Sequence, residues 1–347
     1  MNLTQKLLVN MALTSTRPTK RKRQDSDSHL TPSKSSKKSR VDPIVAKIKS
    51  MQNVFHQNCS GIILDTSDNV QTGTKNHDYY IDGVRVSREA GYYGVTTYIH
   101  NVLFKEFNKE EAWEKVRNSP RHSNDPRYRY FMKSKEEVFA MWEQSGDDGS
   151  DVHDRIDEFF KMTKNPREIF GEKYKQLRFC LAGIMEKTVP NCYIFASEVA
   201  MADKELKLTG CIDALFYNPA TDRFVLLDWK ANSVKTNHYG SFGIHPTSRH
   251  MPDTKYHRFH CQLNMYALML RRVHNIYCEE LYIVGFGLDK LMEKPLNPGH
   301  TEQQQFSQLL CNLDVHKVPL DLQFQSDFIS NRLAEISQRS EMNDSTI

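Results

Sequence analysis

No stretch of this sequence approaches the roughly 20 consecutive apolar residues that a membrane-crossing helix needs. The early cluster Leu7, Leu8, Val9, Met11 and Leu13 is broken by Asn10. No small-residue cleavage site follows it, so it does not read as a secretory signal. Paired cysteines are also missing. Cys59, Cys180, Cys192, Cys211, Cys261, Cys278 and Cys311 are scattered with no C-x-x-C spacing, which argues against a cysteine-built zinc or iron–sulfur site. An odd, unclustered count suits a reducing compartment better than a disulfide framework. No internal repeat is visible.

The body of the chain has no excess of positive charge. Residues 1–40 hold ten Lys/Arg and two Asp; subtracting that +8 from the chain's +4 leaves residues 41–347 near −4. A protein that gripped nucleic acid through a basic patch alone would carry the opposite balance. With 39% hydrophobic and 26% charged residues, the chain as a whole has the composition of a globular protein with a core.

Residues 1–42 are expected to be disordered, because Ser, Thr, Lys, Arg and Pro leave little to bury. Lys20-Arg21-Lys22-Arg23 and, after a polar spacer, Lys37, Lys38 and Arg40 have the layout of a bipartite nuclear-import signal. Nuclear-import receptors would then be partners. A mitochondrial presequence, free of acid until Asp25, is the alternative, and a solvated phosphate-gripping tail is a third.

Beyond the tail, a mixed segment is expected over 43–147, a core over 148–290 and an extension over 291–347. Apolar spacing turns helical around Ser134–Trp142 and Asp151–Phe160. In the second, Val152, Ile156, Phe159 and Phe160 form one stripe, with a helix start at Gly149, Ser150 or Asp151. Cys192–Ala200, Gly210–Tyr217 and Phe224–Lys230 read as strands separated by turn residues, the later two apolar on both faces as in a covered sheet. Lys255–Val273 reads as a helix and Leu281–Phe286 as a further buried strand. The order implies an α/β domain with a mixed sheet.

Asp213 and Asp228 stand out because each interrupts an apolar strand. If the turn Pro219–Asp222 places Asn218 opposite Arg223, counting back five pairs brings Asp213 opposite Asp228, with Cβ atoms about 5 Å apart. Two buried like charges repel, and a divalent cation is the natural compensation; oxygen ligands suit magnesium or manganese. Lys230 projects from the same face as Asp228 because side chains alternate along a strand. Another Asp-x-Lys occurs at Asp253-Thr254-Lys255, so strand context selects Asp228. A buried Asp–Lys ion pair beside a protonated acid is the bland alternative.

Gly210-Cys211-Ile212-Asp213-Ala214 followed by Val225-Leu226-Leu227-Asp228-Trp229-Lys230 resembles the core of the PD-(D/E)XK nuclease superfamily. More narrowly it resembles the RecB-like branch, which includes mitochondrial single-strand exonucleases and nucleases of large DNA viruses. Gly149-Ser150-Asp151-Val152-His153, Glu198 and Gln262-Leu263-Asn264-Met265-Tyr266 match further motifs of that branch in the right order, across roughly residues 90–287. Ser150-Asp151 and Asp157 depart from its commoner residues without removing a ligand.

The resemblance implies a restriction-endonuclease-like mixed sheet flanked by helices, and a Mg2+-dependent deoxyribonuclease, exonuclease-type, acting in DNA replication, recombination or repair. Mn2+ would substitute. His153, Asp213 and Asp228 would hold the metal, with the Trp229 carbonyl or a neighbour completing a position. Lys230 would orient or help deprotonate the attacking water. Glu198 would ligate through water, pair with Lys230, or serve structure only. Gln262, Tyr266 and Arg258 would contact DNA, and Tyr92, Tyr93 and Tyr98 would stack on bases or pack in the core. The competing readings are a helix His153 paired with Asp157, an ordinary amphipathic helix at Gln262 and Tyr266, and a catalytically inactive DNA-binding or scaffold protein that keeps the fold. No membrane is expected among the partners.

Overall fold

The computed structural model describes residues 42–344 apart from 70–73, 76–77, 163–165, 172–173, 237–239, 289–298, 300, 302–303 and 305–312. The basic clusters Lys20–Arg23 and Lys37–Arg40 lie outside these. In chain order the elements used below are α1 (Pro43–Cys59), β1 (Ile62–Asp65), β2 (Asp78–Ile81), β3 (Val84–Arg85), β4 (Tyr93–Gly94), α2 (Lys109–Arg117), α3 (Lys135–Lys161), α4 (Lys175–Lys187), β5 (Tyr193–Asp203), β6 (Leu208–Asn218), β7 (Arg223–Lys230), α5 (Lys255–His274), β8 (Cys278–Gly285), β9 (Asp314–Val318) and α6 (Leu322–Asp344).

The central sheet is mixed. β5 runs antiparallel along one edge of β6. On the other edge β7 pairs antiparallel with the end of β6, from Ala214↔Leu227 to Asn218↔Arg223, while β4 pairs parallel with its start. β8 continues in parallel from β7, and β9 closes the edge antiparallel to β8. The hairpin register is therefore the one that aligns Asp213 with Asp228. Its turn is set by Asn218, whose side chain accepts the Ala220 amide, and by a left-handed Asp222. Between Thr209 and Ala214 the β4/β7 edge of β6 carries no ladder pairing. A cleft opens at this gap.

Both faces of the sheet are covered, which explains strands apolar on both sides. Val225, Leu227 and Trp229 pack with Val152, Ile156 and Phe160 of α3 and with α4. Leu215 and Leu226 pack on the other side with α1, α5 and α6. Both of these leucines are fully buried, a contribution of about 1.5–3 kcal/mol each.

Two expectations change. α3 is one continuous helix from a capping box at Ser134 and Glu137 to a left-handed Met162, not two helices with a start near Gly149. It crosses the expected boundary between residues 147 and 148, so those segments share an element. The region beyond 290 is no appendage: β9 joins the sheet, and Phe324 and Phe328 of α6 enter the core. Of the two uses open to Tyr93 and Tyr98, core packing holds: they are 6% and 0% exposed.

No described helix is long and apolar enough to cross a membrane. The six described cysteines are free thiols, and Cys311 lies outside the described residues.

Candidate active site

His153 on α3, Glu198 on β5, Asp213 on β6, and Asp228 and Lys230 on β7 come together at the unpaired edge of β6. In the β5–β6 register Glu198 falls in line with Asp213, but its φ of 45° removes it from the ladder. A left-handed, non-glycine residue inside a strand costs on the order of 1–3 kcal/mol. Here the kink turns a strand carboxylate toward His153.

His153 is held at both ring nitrogens. Nε2 lies 3.0 Å from the Trp229 carbonyl oxygen. A carbonyl can only accept, so Nε2 carries the hydrogen and Nδ1 is left to face the acids. Nδ1 is 3.0 Å from Glu198 Oε1 and 3.7 Å from Asp213 Oδ2. Burial works against an imidazolium, but Asp213 and the Glu198 hydrogen bond outweigh it and hold the His153 pKa at about 9. Asp157 instead faces Lys161 at 2.5 Å, so the i, i+4 pairing of His153 with Asp157 does not form.

Asp213 Oδ2 accepts the Trp229 amide at 2.7 Å, taking a backbone donor just where the β6–β7 ladder ends. Burial raises the Asp213 pKa; His153 opposes the shift and Glu198 adds to it. Asp228 is 1% exposed, and burial pushes its pKa up to about 7 against the opposing pull of Lys230. Lys230 Nζ stands 2.6 Å from Asp228 Oδ2, a close buried ion pair. Burial disfavours the Lys230 ammonium, yet Asp228 and Asp213 raise its pKa overall. The ammonium also lies 4.5 Å above the Phe259 ring centroid. Lys230 thus pairs with Asp228, and Glu198 with His153.

His153, Glu198 and Asp213 each offer a ligand atom within 4.8 Å of the other two. This set differs from the expected one: Glu198 takes a place among the converging atoms, and Asp228 is drawn back toward Lys230. The surrounding cleft has a volume of about 590 Å³. Gln262 and Tyr266 line it, and Gln262 Nε2 donates to the Tyr266 hydroxyl at 3.3 Å. Gly210 exists to admit that ring: a Cβ there would come within 2.5 Å of Tyr266 Cε1.

Arg258 does not reach the cleft. Its guanidinium grips both oxygens of Asp253, at 2.8 and 3.1 Å, and donates to the Lys105 carbonyl at 2.8 Å. It braces the start of α5, and its expected DNA contact is corrected accordingly. Arg272 is similarly paired with Asp203 and Glu205.

Several lining residues carry no sequence signal of their own. Tyr79, from the small β1–β2–β3 sheet, closes one wall, its hydroxyl pKa raised by burial and by Cys211, Glu198 and Asp213. Cys211 Sγ lies 3.6 Å from Glu198 Oε2. Only Cys211 was legible, through its alternation with Asp213 on β6. Asn232 Nδ2 donates to Ser145 Oγ at 2.8 Å and ties the end of β7 to α3.

No family model matches this chain, and no curated protein matches it either.

Proposed function

We propose that this protein is a divalent-metal-dependent deoxyribonuclease of the PD-(D/E)XK class, in its RecB-like branch, with Mg2+ as the natural ion and Mn2+ as a working substitute. The observation that carries the reading is the convergence of ligand atoms from His153, Glu198 and Asp213 within 4.8 Å of one another, beside the buried Asp228–Lys230 ion pair. Such a cluster is costly unless something cationic joins it.

The donor set fits a hard dication. His153, once Nδ1 gives up the hydrogen it shares with Glu198, would hold it together with Glu198 and Asp213, with Asp228 next to them. Bound there, the ion would supply Lewis-acid polarisation of a phosphoryl oxygen. The chain's own groups do the rest. The Trp229 carbonyl holds the His153 ring, and Asp213 is fixed by the Trp229 amide. Lys230, kept as an ammonium by Asp228, faces the cleft and stabilises negative charge developing on the phosphate. Gln262 and Tyr266 border the path of the DNA backbone.

A metal-dependent shift in melting temperature tests the site without reference to catalysis. Mn2+ or Mg2+ at about 100 times its Kd is expected to stabilise the protein by about 2.7 kcal/mol. Asp213→Asn is expected to abolish that response, and a parent protein whose melting ignores both ions would remove the metal reading. The direct test is incubation of end-labelled single- and double-stranded DNA with each ion or with EDTA. Closed circular DNA is expected to resist, as an end-requiring activity demands. A catalytically silent DNA-binding protein of this fold would bind without cutting and would gain nothing from a buried Asp228–Lys230 pair.

We also propose that the tail carrying Lys20, Arg21, Lys22, Arg23, Lys37, Lys38 and Arg40 directs nuclear import. Deleting residues 1–42 is expected to leave catalysis intact and abolish nuclear accumulation of a fluorescent fusion. Loss of a mitochondrial signal instead would favour the presequence reading.

A further inference from the structure

The acidic body contains one strongly basic stretch. Lys115–Lys135 holds seven Lys/Arg against Asp125 alone, with Arg117 and Lys135 at its ends paired to Glu114 and Glu110 outside it. It comprises the end of α2, the short helix Pro120–Asn124 and the loop into α3, and its cations alternate with aromatic rings. Arg121 lies 4.5 Å over the Tyr128 ring and Arg129 5.6 Å over Tyr130. Tyr128 and Tyr130 meet edge to face at 5.5 Å. Asp125 is shared between Arg121 at 3.1 Å and Arg127 at 3.7 Å, and the Arg127 side chain is 95% exposed.

This stretch is joined to the candidate active site by α3. The Tyr130 hydroxyl accepts from Trp142 Nε1 at 2.9 Å. Trp142 shares one helical stripe with Ser145, Gly146, Gly149 and His153, and the last four line the cleft. A Cβ added at Gly146 or Gly149 would meet nothing within 4 Å, so the stripe between Trp142 and His153 borders open space. Eleven residues of helix make that span about 16 Å. Asp147 and Asp148 fall off the stripe, and Glu143 is answered by Lys109 at 3.0 Å.

We infer that the Lys115–Lys135 segment is a docking surface for an unpaired DNA strand, which runs from the catalytic centre along the glycine-bearing stripe of α3 to Tyr128, Tyr130, Arg127 and Arg129. This inference rests on the nuclease reading. Phosphates are matched by Arg127 and Arg129, and the half-buried Tyr128 and Tyr130 rings, each lying under one arginine, would take an unpaired base on the side away from that arginine. A duplex keeps its base faces covered and would gain from charge alone.

The test uses the full chain carrying Arg127→Glu and Arg129→Glu, with fluorescence anisotropy in EDTA so that nothing is cut. Probes are labelled oligothymidylates of about five and about 25 nucleotides and a duplex of the longer length. The long strand is expected to bind at least about tenfold more weakly to the variant, and the slope of log affinity against log salt to shrink by about 1.4, two contacts at ~0.7 each. The short oligonucleotide is expected to bind both proteins alike. Equal affinity and slope for the long strand would overturn the docking surface, provided melting confirms the variant's fold. The milder pair Arg127→Gln and Arg129→Gln serves if it does not. Equal loss for duplex and strand would overturn the stacking role. Cleavage is scored separately: a parent protein that binds the long strand but never cuts it sinks the nuclease reading, whereas unchanged variant binding beside normal cutting sinks only this surface.

Discussion

Replacing Asp213 or Asp228 with asparagine is expected to lower metal-dependent DNA cleavage by on the order of 10³-fold, and Lys230→Met by about 10²- to 10³-fold. Asparagine keeps the size of the side chain, and at position 213 its oxygen can still accept the Trp229 amide that aspartate accepts at 2.7 Å. What disappears is charge. Loss of the Asp228 carboxylate leaves Lys230 without the negative charge now 2.6 Å from its ammonium. Loss of the Asp213 carboxylate removes one of three converging ligand groups. Chelation by EDTA is expected to reproduce the defect in the parent protein, and excess Mg2+ to reverse it. Cutting of end-labelled DNA measures the effect, and circular dichroism confirms that the variants fold. Parent-like rates in Asp228→Asn would dismantle the arrangement.

The second large effect lies away from the chemistry. Arg332→Ala is expected to destabilise the fold by about 3–5 kcal/mol, a fall in Tm on the order of 10 °C for a chain of this size. Arg332 on α6 is 0% exposed. Its guanidinium donates to Glu335 Oε2 at 2.9 Å and to the carbonyls of Leu206 at 3.0 Å and Gly91 at 2.6 Å. It also sits between the Tyr93 and Tyr98 rings, with centroid distances of 5.0 and 5.2 Å. Alanine strands those acceptors and opens a cavity. Arg332→Lys keeps the charge but loses the planar fork, so it is expected to recover only part of the stability. Thermal unfolding reads both variants, and a shift of less than about 2 °C for alanine, against the ~2–4 °C expected per kcal/mol, would refute the bracing role.

The hairpin that carries the acids was legible because its signals are local. Apolar runs fix β6 and β7, Asn218–Asp222 fixes the turn, and together they set a register that aligns Asp213 with Asp228. The length of α3 was obscured by Gly146 and Gly149, each worth about 1 kcal/mol against a helix; the capping box at Ser134 and the buried stripe prevail over both. Glu198 was visible as a strand acid, but its role depends on a backbone kink with no sequence signature. Tyr79, Asn232 and Ser145 enter the cleft through long-range packing, which pattern reading cannot reach. Arg258 and Arg332 look alike in sequence as helix arginines; only the third dimension reveals that Asp253 holds one and three backbone carbonyls hold the other.

The position of Arg332 also imposes an order on synthesis. It clasps the carbonyls of Leu206 and Lys207, in the turn joining the strands that bear Glu198 and Asp213, yet it is translated more than a hundred residues after them. While the ribosome is still adding α6, that turn has no clasp and the edge of β8 has only just gained its neighbour. The strands that bear Glu198 and Asp213 therefore lack this clasp until α6 has been made, well over a hundred residues after they are themselves complete.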